Sequence, residues 1–432
     1  MVARRSSRWL HISYALLQQH LRRRSVWACF DRGAMTVGKE TLANEVSPFT
    51  DEDRLLIEEL RKRVVEELKL VPCYDHDFSI FRWIVGYDRN LDEAEKAMRK
   101  ALNEFGALKL HKHDFSSIDK IHSYCDSISA PLQYFPGSLI GYDKAGNVIS
   151  LQPFGGFDVL GLYESLKISD LYLMRIAESE GVMQLLRERE NKFNRQLGTT
   201  VIIDLEGCSM DMLYTKPLKI MGQMLGKLQD MFPDVLRHLF IINAPYFMHI
   251  IWKCISPILS KQTKQKVQIL GSDWKECLKE HIDEEVLYKN WGGTKESDTP
   301  YGDVRRGGKV PDDLKTGKEN DLPESQLTTL SIAARSIGTV DVEVEDEKPG
   351  RTLKWWWKGA TSDDLIFWVT RQDDKNSKES MVWPPMRLCT EHVAESREVP
   401  IPTSGLYKLH FDNTASRFFS KSVNYSVVVE DN

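Results

Sequence analysis

Apolar residues recur every three or four positions between residues 51 and 70, and charged residues lie between them. This spacing places the apolar side chains on one face of an amphipathic helix. The same spacing predicts two more helices, over residues 78–85 and 92–105, with Gly106 as the stop of the second. The pattern therefore predicts a small helical unit over residues 49–115.

Strand and helix patterns alternate through residues 116–294. The predicted strands are 138–142, 147–150, 199–205, 236–243 and 266–270, and the predicted helices are 169–196, 211–231, 246–259 and 273–280. The runs at 201–203 and 240–242 are apolar at every position, which is typical of strands covered on both faces. The alternation predicts an α/β layer with a largely parallel sheet.

The pattern changes twice after residue 294. Residues 295–325 are rich in charge and glycine, which predicts a linker or a strap on the surface. Residues 326–432 have a period of two, which predicts an all-β sandwich. In the run of three tryptophans, this alternation places Trp356 opposite its neighbours. Trp356 is then either an exposed membrane or protein anchor or an aromatic packed under a loop.

The first 35 residues have a different composition, with seven arginines, no lysine and one acidic residue. Mitochondrial presequences and membrane-surface helices both have this composition. A third interpretation is that these residues are an extension upstream of a true start at Met35. We give this interpretation as much weight as the presequence and the membrane-surface helix together. We therefore predict a basic extension over residues 1–48, disordered or targeting, and do not favour mitochondrial import.

Composition excludes several classes of protein. The formal net charge is −5, which argues against nucleic acid as the main partner. The seven cysteines form no C-x-x-C pair, so a disulfide framework and a zinc module are both unsupported, and a reducing compartment fits. The most apolar stretch, 239–259, contains Pro245, which would break a membrane-spanning helix.

Three motifs of catalytic type are incomplete. Residues 207–211 lack the second glycine of a nucleophile elbow, and residues 302–310 lack the first glycine and the final Ser or Thr of a phosphate loop. Asp204 and Glu206 form a carboxylate pair at a strand end, where capping of the next turn is favoured over acid–base work. We therefore predict no enzymatic activity, no catalytic residue, no metal and no cofactor.

A series of motifs occurs in a fixed order along the α/β part. The motifs lie at 201–207, 232–234, 239–245, 269–271, 274–275 and 291–293. This series resembles the CRAL-TRIO lipid-binding family. Residues 50–105, with Phe81, Arg82 and Trp83, resemble the helical N-terminal part of that family. Residues 405–413, followed by Ser416, resemble a GOLD domain.

The resemblance implies a multi-domain fold. It consists of an N-terminal helical unit (49–115), an α/β CRAL-TRIO lipid-binding domain (116–294), a linker or strap (295–325) and an all-β, jelly-roll-like GOLD domain (326–432). A sheet would form the floor of a deep pocket, and a helix over residues 244–259 would act as its gate. The expected pocket and gate residues are Ile202, Phe240, Ile242, Tyr246, Phe247, Ile250, Ile251, Cys254, Ile255 and Ile258.

The implied function is non-enzymatic lipid binding and transfer inside the cell. One hydrophobic ligand would lie under the gate and exchange with membranes during transient contact. The alternative is a lipid-responsive adaptor that recruits a protein partner through the GOLD domain. The resemblance implies a cytoplasmic protein peripheral to membranes, at the Golgi or endoplasmic reticulum, and no nucleic-acid partner.

Three positions depart from the phosphatidylinositol-transfer pattern of the family. Ser256 stands where a lysine is common, Asp234 where a glutamate is common, and residues 85–87 replace a basic stretch. Because basic side chains at such places would pair with an inositol phosphate, their loss disfavours phosphoinositides. A less charged ligand is expected: phosphatidylcholine, a sterol precursor such as squalene, or a tocopherol.

Overall fold

The computed structural model describes residues 48–315, 321–360, 364–373 and 377–431. From Pro48 onward these residues belong to one compact unit. The sequence predicts a basic extension, disordered or targeting, over residues 1–48. Residues 1–47 of this extension lie outside the described residues.

The N-terminal unit is helical, as the apolar spacing predicts. Its helices are α1 (Asp51–Arg63), α2 (Val65–Leu68), α3 (Asp77–Gly86), α4 (Leu91–Leu108) and α5 (Ile118–Ile128). Helix α1 begins with a capping box, in which the Asp53 amide donates to Thr50 Oγ1 and the Thr50 amide donates to Asp53 Oδ2, at 3.1 and 3.0 Å. No helix in the described ranges is long and apolar enough to cross a bilayer.

Helix α4 does not stop at Gly106. It continues to Leu108 and ends at Lys109, whose φ of 54° is left-handed. Gly106 serves packing instead, since a Cβ atom there would lie 3.1 Å from Leu70 Cβ. The predicted stop is therefore wrong, because a glycine inside a helix also allows close approach of a neighbouring segment.

The α/β part is built on a five-stranded sheet in the order β1-β2-β3-β4-β5. The strands are β1 (Ser138–Tyr142), β2 (Val148–Pro153), β3 (Thr199–Asp204), β4 (Leu236–Ile242) and β5 (Val267–Ile269). The helices are α6 (Val159–Ser165), α7 (Ile168–Phe193), α8 (Thr215–Met231), α9 (Met248–Ile255), α10 (Lys261–Gln265) and α11 (Trp274–His281). Strands β1 and β2 are antiparallel and the other neighbours are parallel, so the predicted α/β layer is confirmed.

One face of this sheet is solid core. Ile202, Phe240 and Ile242 pack there against buried side chains that include Trp274 and Trp291. At the end of β3, the Asp204 carboxylate accepts hydrogen bonds from the Trp291 indole and the Asn243 amide, both at 2.9 Å. Asp204 therefore acts as a structural acceptor.

The C-terminal part is a sandwich of two four-stranded antiparallel sheets, as its period of two predicts. The strand orders are β10-β9-β12-β7 and β11-β8-β13-β6. The strands are β6 (Thr328–Ile332), β7 (Ile337–Val344), β8 (Arg351–Gly359), β9 (Asp364–Gln372), β10 (Ser380–Cys389), β11 (Glu395–Pro400), β12 (Gly405–Asp412) and β13 (Lys421–Asp431).

The three tryptophans of β8 alternate as expected. Trp355 and Trp357 are buried between the sheets, where both pack against Phe367. Trp356 lies on the outer face but is only half-exposed. The most exposed aromatic side chains among the described residues of the sandwich are instead Phe418 and Phe419.

Helix α8 lies against the sandwich as well as against the α/β part. Four polar contacts join it to the sandwich. They are Lys216 Nζ to Glu391 at 2.6 Å, Lys219 Nζ to Asp364 at 3.1 Å, Gln223 Nε2 to Asp364 at 3.1 Å, and Lys227 Nζ to the Pro385 carbonyl at 3.1 Å. The sandwich and the helical layer thus share one boundary that is held by polar contacts at several points.

Residues 295–315 run as a strap along the α/β part. The Gly137 amide donates to the Arg305 carbonyl, and Arg305 Nε donates back to the Gly137 carbonyl, both at 2.9 Å. The Val310 amide donates to Asp158 Oδ2 at 3.0 Å, and the Val310 side chain is fully buried. The strap is therefore attached through both its backbone and its side chains.

Candidate functional site

A cavity of about 460 Å³ lies between the sheet and its covering helices. Its floor is the sheet face opposite the solid core, formed by Leu139, Ser150, Gln152, Thr199, Val201, Ile203 and Leu239. One wall is α7, through Arg175, Glu178, Ser179 and Val182, and another is α8, through Leu225, Leu228 and Gln229. This volume lies within the range of small-molecule sites.

The period of two along the strands determines which side chains face the cavity. Val201 and Ile203 point to the cavity side of β3, and Ile202 between them points to the core. Strand β4 behaves in the same way, with Leu239 on the cavity side and Phe240 on the core side. Both faces are apolar because one is buried in protein and the other lines a space.

The closure segment, residues 258–266, crosses the cavity between α9 and β5. Leu259, Ser260, Gln262, Thr263 and Lys266 contribute to the lining. Gln262 Nε2 donates to the Val85 carbonyl at 3.0 Å and to Asp88 Oδ1 at 2.8 Å. The closure segment is thereby attached to the end of α3 in the helical unit.

A second attachment joins the closure segment to α8. The Ser260 amide donates to Gln229 Oε1 at 2.9 Å. A third joins its end to the loop before β4, where Lys266 Nζ lies 2.8 Å from Asp234 Oδ1. Asp234 also accepts from Arg237 at 3.3 Å.

Two glycines on α8 form a seat for Ile258. A Cβ atom at Gly222 would lie 2.6 Å from Ile258 Cδ1, and one at Gly226 would lie 3.4 Å from Ile258 Cγ2. Glycines spaced by four residues share one helix face. Ile258 therefore packs directly on the backbone of α8 at the start of the closure segment.

We expect Gly222→Val to loosen the closure segment. The new side chain collides with Ile258 and displaces it from its seat. Amide hydrogen exchange across residues 258–266 should accelerate by about tenfold, equivalent to about 1.4 kcal/mol of lost local stability. Hydrogen exchange with mass spectrometry measures this directly.

Gly226→Ala is the matched control, because its added methyl group meets Ile258 at ordinary contact distance. We expect its exchange in residues 258–266 to match the unaltered protein. Equal exchange in both variants would contradict the seat.

The lining is mainly apolar, and both of its cations are paired with carboxylates of the lining. Arg175 forms an ion pair with Glu178, and Lys266 pairs with Asp234. On β2, Gln152 Nε2 donates to Ser150 Oγ at 3.1 Å. Burial raises the pKa of the Tyr87 phenol to about 12, so a neutral hydroxyl lines the cavity at neutral pH.

The sheet residues expected in the pocket lie elsewhere. Ile202, Phe240 and Ile242 belong to the solid core on the opposite face and are not among the lining residues. Their neighbours at odd-numbered positions, Val201 and Leu239, line the cavity instead. The expected residues lie one position away from those that line this cavity, because alternate side chains of a strand face opposite sides.

The expected gate forms a shorter helix than the sequence predicts. Helix α9 covers only Met248–Ile255 and ends at Ser256, since the next residue, Pro257, has no backbone N–H to continue the helical hydrogen bonds. Of the expected gate residues, Phe247 and Ile251 are buried, Ile250 and Ile255 are half-exposed, and Tyr246, Cys254 and Ile258 are exposed. None of them is among the lining residues, to which the 244–259 stretch contributes Leu259.

Helix α9 instead covers the sheet beside the cavity. Met248 packs on the apolar cluster of Phe154, Leu205 and Ile241. Ile203 and Leu239, which line the cavity, contact the same cluster. The gate assignment of α9 stays a prediction, and the described closure of the cavity is formed by the residues that follow this helix.

Comparison with known proteins gives one family match. Residues 132–293 match the family model described as the CRAL/TRIO domain. This part of the chain is therefore similar to the CRAL/TRIO domain. Domains of this family bind lipids and other hydrophobic small molecules.

Sequence similarity to individual relatives extends over more of the chain than the family match does. "Protein ctg-1" of Caenorhabditis elegans is 25% identical over 388 residues, which cover 86% of this chain and 97% of that protein. A "CRAL-TRIO domain-containing protein" of the same organism is 26% identical over 262 residues, which cover 58% of this chain and 60% of the relative. The structure titled "Crystal structure of Sfh5" is 15% identical, with a TM-score of 0.44, and covers 58% of this chain and 90% of its own.

The CRAL/TRIO match contains the sheet, α7, α8 and the closure segment, but not the whole cavity wall. Gly86 and Tyr87 also line the cavity and lie 45 residues or more before the match begins. The helical unit therefore completes the cavity wall that the α/β part begins. A sequence signal for the α8 lining exists in its amphipathic spacing, but that spacing does not separate a side chain facing a cavity from one facing core.

Proposed function

We propose that this protein is a non-enzymatic carrier that encloses one hydrophobic ligand and exchanges it with membranes. The observation that carries the proposal is the cavity of about 460 Å³ between the region that matches the CRAL/TRIO model and the helical unit, with a closure segment attached at three places. Removing apolar ligand surface from water releases about 25 cal/mol per Å². An extracted lipid chain is thereby stabilised during transfer through water.

The charges of the lining favour a neutral or zwitterionic ligand. Among the described lining residues the cations are Arg175 and Lys266, and each is paired with a carboxylate. Ser256 caps the end of α9 and is not part of the lining. A phosphoinositide would bring negative charge to a wall whose cations already have partners. We therefore favour phosphatidylcholine, a tocopherol or a sterol precursor over phosphoinositides.

The polar atoms of the lining favour a ligand that carries oxygen. Ser150 and Gln152 are buried on the floor, and Arg175 Nε is buried without a hydrogen-bond partner among the described residues. A ligand oxygen would supply an acceptor for such a donor. A tocopherol or phosphatidylcholine fits this lining better than a pure hydrocarbon such as squalene.

Helix α9 is the proposed membrane-facing element of exchange. Its apolar side chains are divided between the protein and solvent: Ile251 is buried and Ile250 is half-exposed. The adjacent Tyr246 is 85% exposed. Such a helix gains free energy when its outer face enters a lipid interface. Contact there would bring the closure segment next to the membrane that gives or takes the ligand.

The sandwich is proposed to be a GOLD domain. The motif at 405–413 forms β12 in the middle of one sheet, and Asn413, which ends it, is buried. A cytoplasmic location peripheral to membranes follows from the carrier proposal. The adaptor alternative predicts that the sandwich binds a protein partner whose affinity changes with the ligand.

The carrier proposal is tested with the purified full-length chain. Native mass spectrometry should detect a co-purified lipid in a one-to-one complex, and the chain should move fluorescent phosphatidylcholine or tocopherol between vesicles. A phosphatidylinositol probe should move more slowly. An empty chain that transfers none of these probes would overturn the proposal.

A further inference from the structure

Two adjacent phenylalanines are exposed to solvent at one end of the sandwich. The tip loop, residues 413–420, connects β12 to β13, and within it Phe418 is 81% exposed and Phe419 is 74% exposed. Each ring leaves a large apolar surface in water, which is unfavourable unless a partner covers it. Two such rings side by side therefore indicate a contact surface.

Hydrogen bonds hold the tip loop in this conformation. The buried Asn413 side chain donates to the Phe419 carbonyl at 3.0 Å and to the Ala333 carbonyl at 3.2 Å. Ser416 Oγ donates to the Phe419 carbonyl at 2.8 Å and accepts from the Phe419 amide at 3.2 Å. The backbone of the loop is thus set by its own polar groups, and the rings are presented outward by a built structure.

Arginines flank the two rings. Arg417 precedes them and is exposed. Arg335 is exposed on the neighbouring turn between β6 and β7, which contacts the tip loop through the Arg335 amide and the Ser416 carbonyl at 3.1 Å. In the described ranges, no carboxylate forms an ion pair with either guanidinium. Both positive charges therefore remain available to an incoming anionic surface.

This combination is complementary to an anionic bilayer. Aromatic rings enter the boundary between head groups and acyl chains, while guanidinium groups bind lipid phosphates. Anionic lipids also attract each nearby arginine through the surface potential of the membrane. We infer that the tip loop, together with Arg335, is a docking site for the surface of a membrane that contains anionic lipid. The site is separate from the cavity, and its activity does not depend on what the cavity holds.

The test is vesicle co-sedimentation of the full chain. With vesicles of phosphatidylcholine and phosphatidylserine, Phe418→Ser/Phe419→Ser should reduce the bound-to-free ratio by about tenfold or more. Arg335→Glu/Arg417→Glu should reduce binding to the same vesicles and change little with pure phosphatidylcholine. Leu55→Ser is the matched control, since Leu55 is 72% exposed on α1 and its loss should leave binding unchanged.

The outcomes separate the docking site from the carrier activity. Native mass spectrometry of the double phenylalanine variant should still detect the cavity ligand, and its thermal midpoint should match the unaltered chain. Binding to anionic vesicles that is unaffected by both double variants would overturn the inference and assign the rings to a protein partner. Equal losses in the double phenylalanine variant and in Leu55→Ser would also overturn it.

Discussion

Arg82→Met is expected to lower the free energy of unfolding by about 3–5 kcal/mol. Arg82 is almost fully buried and forms an ion pair with Glu190, which is completely buried. The guanidinium also donates to the Leu197 carbonyl at 2.7 Å and to the Asp234 carbonyl at 3.2 Å. The substitution leaves the Glu190 carboxylate in the interior without its counter-ion. Urea denaturation followed by circular dichroism measures the loss.

The control for Arg82→Met is Lys96→Met. Lys96 pairs with Glu93 on α4 at 3.0 Å, and both side chains are largely in water. Surface pairs contribute little to stability, so this variant should unfold like the unaltered chain. A loss below about 1 kcal/mol in Arg82→Met would contradict the structural importance of the buried pair.

Val201→Trp is expected to abolish ligand capture, with a fall in the lipid-bound fraction corresponding to an affinity loss of at least about tenfold. Val201 lies at the centre of the floor on β3, and its side chain faces the cavity. An indole at this position occupies space that a ligand needs. Because tryptophan is well accepted in strands, the sheet should keep its pairing. Native mass spectrometry and vesicle transfer both report the result.

Leu55→Trp is the matched control for Val201→Trp. It adds an indole at a site that is 72% exposed and distant in sequence from every lining residue. Capture by this variant should equal that of the unaltered chain. If Val201→Trp takes up as much lipid as the control, the ligand lies outside the described cavity.

The order of helices and strands is well predicted by apolar spacing, because long periodic segments such as α1 and α4 bury a single broad face. Three helices of the described chain, α5, α6 and α10, are not predicted. Helix α6 has only seven residues and contains Gly161, so its periodicity is too short to recognise. Helix α5 carries its buried positions, Ile121 and Cys125, among many polar residues.

The cavity is less predictable than the fold. Strand β3 is apolar on both faces, so its sequence does not distinguish Val201, which lines a space, from Ile202, which lies in solid core. The sequence also gives little indication of the closure segment, since Gln262 and Lys266 are residue types that are common on protein surfaces. Their role arises from contacts with Val85 and Asp234, which are distant in sequence. Residue type and spacing carry no information on such tertiary contacts.

The contacts of α8 with the sandwich have a practical consequence for dissecting the chain. A truncation before residue 326 would remove Asp364, Pro385 and Glu391, which bind four side chains of α8. The same helix carries the seat of Ile258 and part of the cavity wall. If the truncated protein failed to bind lipid, the failure would therefore reflect the loss of support for α8 in the remaining half of the chain, and would not show that the sandwich itself binds lipid. Assigning roles to the two halves requires single-residue variants in an intact polypeptide.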